Sequence, residues 1–90
     1  MHEASLIADL VAKAEAACGG AVVEQVTVRR GALCHISAES LEEHFAAAVD
    51  GTLLEGAALV VVNGPGGDAA LEDPYAQDLL LVSIDVTGDP

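Results

Sequence analysis

Positive charge is the scarcest resource in this chain. Three Lys and Arg stand against fifteen Asp and Glu, a formal charge of −12 over 90 residues. A nucleic acid or an anionic membrane surface needs cations to neutralise phosphates, so both are excluded as partners. Aromatic residues are nearly missing as well, with no Trp, one Phe and one Tyr. The core must then be built from Ala, Val, Leu and Ile. The longest strictly apolar run, 57–62, is six residues. That is far short of the roughly 20 needed for a membrane span. Two cysteines, Cys18 and Cys34, are too few for a disulfide framework or a closed zinc site, and free thiols are expected. Met1-His2-Glu3 opens the chain with no basic or apolar leader, which points to the cytoplasm.

What remains is mostly aliphatic, 52% hydrophobic against 20% charged, and it is patterned. This length supports one domain with a modest core. In residues 4–18, Ile7, Leu10, Val11, Ala14 and Cys18 fall on one helical stripe, and Gly19-Gly20 stops it. Residues 21–33 read as a strand in which Val26 and Val28 alternate with Thr27 and Arg29, ending or bending at Gly31. Ser37 is placed to cap a second helix, with Ile36 and Leu41 as its hydrophobic staple. Leu41, Phe45, Ala48 and Val49 form its apolar face, and Gly51 closes it. The run Ala57–Val62 predicts a strand buried on both faces. Residues 63–78 hold two of the three prolines and predict a long, mobile connection. In the last strand, Leu79–Val86, strict alternation puts Leu80, Val82, Ile84 and Val86 on one face. The tail 87–90 is expected to fray. The reading is an α+β single domain of order α-β-α-β-β, a three-stranded sheet with two helices packed on one face.

The chemistry gathers at the start. A free α-amine at Met1, the His2 backbone nitrogen and the His2 imidazole can close adjacent chelate rings on one metal ion. Glu3 offers its backbone nitrogen or carboxylate as a further ligand. A nitrogen-rich, roughly planar set of this kind suits Ni(II) or Cu(II). Elsewhere the signals are weaker. Cys34-His35 has the residue types of a thiol nucleophile, but sequence neighbours rarely aim their side chains at each other. His44 borders the apolar arc of the second helix and reads as a boundary residue. Glu39, Glu42 and Glu43 read as a solvated face. Gly64-Pro65-Gly66-Gly67 lacks the Lys and Ser/Thr of a phosphate loop.

Several segments, taken in order, resemble the HypA/HybF family of hydrogenase nickel-insertion proteins. These are Met1-His2-Glu3-Ala4-Ser5-Leu6, Val26 through Leu33 with its closing Gly-Ala-Leu, Ser40 through Phe45, Gly51-Thr52-Leu53-Leu54-Glu55-Gly56-Ala57, and Ser83-Ile84-Asp85-Val86. The resemblance implies a metallochaperone rather than an enzyme. It would bind Ni(II) transiently through Met1, His2 and Glu3 during [NiFe]-hydrogenase maturation. Implied partners are a hydrogenase large subunit or a HypB-like GTPase. The family carries a zinc domain with two Cys-x-x-Cys pairs between the second and third strands. Here that place holds only 63–78, without a cysteine, so residues 1–90 are expected to form a single nickel-binding domain without structural zinc. Arg30 stands where the family has an aliphatic residue, and Glu3 is a candidate partner for it. The rival reading is an interaction module on the same fold that has lost metal delivery. A thiol enzyme built on Cys34 and His35 is the third.

Overall fold

The computed structural model describes residues 3–87, and the side chains of residues 4–87. The elements are α1 (Glu3–Ala17), β1 (Val23–Arg30), α2 (Ala38–Ala48), β2 (Ala58–Asn63), α3 (Asp68–Glu72) and β3 (Leu79–Val86). The strand order is β2-β1-β3. β2 runs parallel to β1 and β3 antiparallel to it, so the central strand is the first in sequence. α1 and α2 pack on each other and on one face of the sheet. Ile7, Leu10, Val11, Ala14 and Cys18 of the predicted stripe are all buried there, against Val26, Val28, Leu41 and Phe45.

Local chemistry explains the element ends. Ser37 holds an extended backbone, and its hydroxyl accepts the Ser40 N–H at 3.0 Å, which caps α2. Ile36 and Leu41 are both buried beside that cap, as a staple requires. Gly19, Gly20 and Gly51 take positive φ after α1 and α2, where a Cβ would be strained.

Between α2 and β2 the segment 51–57 is a clasp. Thr52 Oγ1 donates to the Val49 carbonyl at 2.7 Å and accepts the Leu54 N–H at 3.0 Å. The Leu53 carbonyl accepts the Val23 N–H, and the Leu53 N–H donates to the Glu15 carboxylate at 3.1 Å. These bonds drive Leu54 into the core, where it is fully buried.

Four expectations change. β2 is an edge strand, not a strand buried on both faces: Val60 and Val62 are exposed, and only Leu59 and Val61 turn to the helices. Strict alternation fails in β3. The β1–β3 register slips between Thr27 and Val28, leaving Val82 as an extra residue that is 56% exposed. Leu79, Leu81 and Ile84 therefore face the helices, in place of Leu80, Val82, Ile84 and Val86. A second slip, at Glu24, turns Val23 inward alongside Val26. Segment 63–78 contains α3, whose Ala70 is buried. It is also anchored. The Leu33 N–H donates to the Ala76 carbonyl at 2.8 Å, and Gly31 lies so close to Ala76 that no side chain fits there. Finally, Thr87 is tied to the Val22 carbonyl by its N–H at 2.8 Å; the rest of the predicted fraying tail, 88–90, lies outside the described residues.

An ion pair fixes α3 to the sheet. Arg29 Nη2 donates to Asp73 Oδ2 at 2.6 Å, with only 6% of the Asp73 side chain exposed. The Arg29 guanidinium holds the Asp73 carboxyl below its ordinary value, and the Tyr75 backbone N–H assists. Because the folded state depresses this pKa, the unfolded chain binds more protons in acid. The stabilisation is fully present above the unfolded value of about 3.9, and it is lost as pH falls through the depressed folded value. Asp73→Asn is expected to lower the urea midpoint at pH 7 and to flatten its acid dependence. Parallel midpoint-versus-pH curves for the two proteins below pH ~4 would contradict this assignment. Leu54→Ala, which empties the clasp's core contact, is expected to cost about 2–5 kcal/mol in urea unfolding.

Candidate metal centre

The sequence-predicted ligands are Met1, His2 and Glu3. Met1 and His2 lie outside the described residues, and of Glu3 only the backbone is described, as the first residue of the helix. That position has a chemical consequence. The first four N–H groups of a helix have no intrahelical acceptor, so the Glu3 nitrogen can be given to a metal without breaking a helical bond. The first turns of α1 are well anchored. Ile7 and Leu10 are buried, and Leu6 and Leu10 border a shallow groove with Leu79, Leu80 and Leu81. Leu79 pairs with Arg30, so the helix start lies at the sheet end where β1 finishes.

That end is organised by Arg30. Its Nε and Nη2 donate to Asn63 Oδ1 at 3.2 and 3.0 Å, and its Nη1 donates to the Ile36 carbonyl at 2.9 Å. The guanidinium thus ties the ends of β1 and β2 to the loop leading into α2. Among the described residues its partners are these two, and the expected Glu3 carboxylate is not among the described side chains. Asn63 was not singled out in the sequence, because its role depends on its register opposite Arg30.

The remaining candidates separate. Cys34 and His35 line a cleft of about 460 Å³ with Arg30, Asn63 and Gly64. Cys34 is half-buried and packs against the core, whereas His35 is exposed. They differ in burial, and no hydrogen bond between thiol and imidazole is found among the described residues. Both cysteines are free thiols. The His44 ring is half-buried, and its Nδ1 donates to the Ser40 carbonyl at 2.8 Å, which ties it to its own helix. Glu39, Glu42 and Glu43 are exposed, as a solvated face requires. No group of three or more His, Cys, Asp or Glu among the described residues is placed to hold a metal ion. Nor is any described helix long and apolar enough to cross a membrane.

Comparison with known proteins bears on the same segment. The family described as hydrogenase/urease nickel incorporation, metallochaperone, HypA matches residues 1–67. The hydrogenase maturation factor HypA of Geobacter metallireducens is 39% identical over 66 residues, which span 73% of this chain and 60% of that protein. The solution structure of the nickel metallochaperone HypA from Helicobacter pylori superposes with a TM-score of 0.77. It covers 99% of this chain and 100% of the other at 18% identity, a likeness of fold. The matched region runs from the tripeptide through both large helices, the central strand and β2, and on these grounds the chain belongs to the HypA family.

Proposed function

We propose that this protein is a nickel-binding accessory protein for [NiFe]-hydrogenase maturation. It would bind Ni(II) through the Met1 amine and His2, with Glu3 adjacent. The observation that carries the reading is the family match, which begins at residue 1 and so includes Met1-His2-Glu3. Family membership supplies the metal class, and the residues supply the means of holding it. With Met1 as the free terminus, the amine, the His2 amide nitrogen and the imidazole occupy successive positions around one ion. The Glu3 nitrogen, free of the helix ladder, completes a planar set. Nickel is cargo here, not a resident cofactor. A site at a helix end, built from consecutive residues, suits capture and hand-over better than storage. The Irving–Williams order predicts that Cu(II) binds these ligands at least as tightly in vitro, so selectivity for nickel rests on supply and partners.

The reading extends to the domain plan and to partners. Residues 63–78 stand in place of the zinc domain that the resemblance implies. This stretch has no cysteine and folds onto the sheet through Asp73 and Ala76. Partners would be a hydrogenase large subunit or a HypB-like GTPase in the cytoplasm, and the protein itself would carry no enzyme activity.

Calorimetric titration of untagged protein with Ni(II) tests the site. A single nickel equivalent is expected for the wild-type chain, with loss of that uptake in His2→Ala and in a form carrying one extra residue before Met1. Equal uptake by all three proteins would reject the assignment. The thermal midpoint without metal is expected to be the same in all three, because neither change touches the core.

A further inference from the structure

The two edges of the sheet are unequal. The β3 edge is interrupted by the bulge at Val82 and carries Asp85. Natural sheets blunt exposed edges in this way, with bulges, charges or proline, to prevent unwanted strand pairing. The β2 edge carries none of these devices. Its sequence is Ala-Leu-Val-Val-Val-Asn, it is regular throughout its pairing with β1, and among the described residues no strand lies on its other side. A regular, uncharged edge of this length is a pairing template.

Beside this edge lies a groove of about 570 Å³ between α2 and the sheet. Its floor is Phe45, Val49, Ala57 and Leu59, and its rim carries three carboxylates, Glu42, Asp50 and Glu55. No cation lines it, and the three cations of the chain are all engaged elsewhere: Lys13 with Asp9, Arg29 with Asp73, and Arg30 with Asn63 and Ile36. On the opposite face of the sheet, β2 exposes Val60 and Val62, 38% and 47% respectively.

We propose that β2 is a docking edge for an extended, basic segment of a partner protein, which adds as a fourth strand beside it. The alternation of a strand fixes the chemistry of that segment. Every second side chain would enter the α2 groove. There an Arg or Lys can lay its aliphatic stem on Phe45, Val49 and Leu59 while its cationic head reaches Glu42, Asp50 or Glu55. The intervening side chains would lie beside Val60 and Val62, where β-branched apolar residues fit. The occupant is thus a segment alternating Arg or Lys with Val or Ile. A second copy of this chain is the wrong partner on charge grounds. It would bring its own Glu42, Asp50 and Glu55 to the same edge, at a net charge of −12 per chain.

The groove also lies away from the helix start. It flanks Ala57 and Leu59, at the beginning of β2, and Ala58 pairs with Gln25 near the beginning of β1. The first turns of α1 sit at the far end, by Arg30 and Leu79. The inference uses none of the N-terminal residues, so it stands whether or not they bind nickel.

The test is a ¹H–¹⁵N NMR titration of metal-free protein with short synthetic peptides of about eight residues, a common strand length. An alternating Arg–Val peptide is expected to shift the amides of residues 58–63 and of Phe45 and Val49, and to slow hydrogen exchange along β2. An alternating Arg–Gly peptide of equal charge is expected to bind at least about tenfold more weakly, because charge without strand-forming side chains supplies little of the contact. An alternating Glu–Val peptide is expected not to bind. Joint substitution of the exposed rim, Glu42→Gln, Asp50→Asn and Glu55→Gln, is expected to weaken the Arg–Val peptide about tenfold and to remove most of its salt dependence. Equal affinity for the Arg–Val and Arg–Gly peptides would overturn the proposal. So would shifts confined to residues outside the groove and β2, or concentration-dependent β2 shifts without peptide, which would assign the edge to a second copy.

Discussion

The architecture depends on β1 having neighbours on both edges. Every other element is placed by what that strand can bond. Its middle, Val26 and Val28, faces the two large helices and is fully buried. Its C-terminal residues diverge in role because side chains alternate across a sheet. Arg29 points to the face away from the helices and holds Asp73 and hence α3. Arg30 points to the helix side and holds Asn63 and the Ile36 carbonyl. A chain with three cations spends two of them here, on adjacent residues with opposite directions. Each is tied to a segment that backbone pairing within the sheet would not fix by itself.

The scarcity of aromatic side chains has a visible structural answer. With a single Phe in the core, the space between helices and sheet is filled by Ile7, Leu10, Leu41, Leu54 and valines, with alanines where helix meets helix. Small aliphatic residues bury less area each, so polar connections take on part of the task of fixing geometry. The Glu15 carboxylate reaching the Leu53 N–H and the Thr52 hydroxyl bonded on both sides are examples. They turn the Gly-Thr-Leu-Leu-Glu-Gly-Ala stretch from a mere connection into the piece that locks α1, α2 and the start of β1 together.

What was legible in the sequence is what local physics determines. The α1 stripe, the Ser37 cap with its staple and the stop glycines each depend on residues within a few positions of one another, and each is where the sequence placed it. The errors lie where pairing partners decide. An apolar run of six cannot reveal whether it will lie at a centre or an edge, so the expectation of a doubly buried strand fails for β2. A bulge is a property of two strands, so Val82 could not be seen turning outward from β3 alone. The five residues of α3 follow a Gly- and Pro-rich stretch whose composition signals only a turn, and the helix is held mainly by tertiary contacts through Asp73 and Ala76. For the candidate site, Met1, His2 and Glu3 were legible as residue types suited to nickel. The sequence did not reveal the organisation of that sheet end by Arg30 and Asn63, because these residues are 33 positions apart.

The unequal burial of Cys34 and His35 shows why residue type alone overstates chemistry. The two are neighbours in a loop that passes from the core to the surface between Gly31 and Ser37. The backbone needs Ile36 inside to staple α2 and Cys34 against the core, and this leaves His35 outside. The proposed site in the N-terminal tripeptide is a different case. Its donors are joined through the main chain, so the amine, the amide nitrogen and the imidazole need no tertiary contact to converge. The fold has only to start the helix at Glu3, where the amide is not already committed, and to anchor the following turn through Ile7 and Leu10. A metal site built from consecutive residues therefore asks little of a core this small.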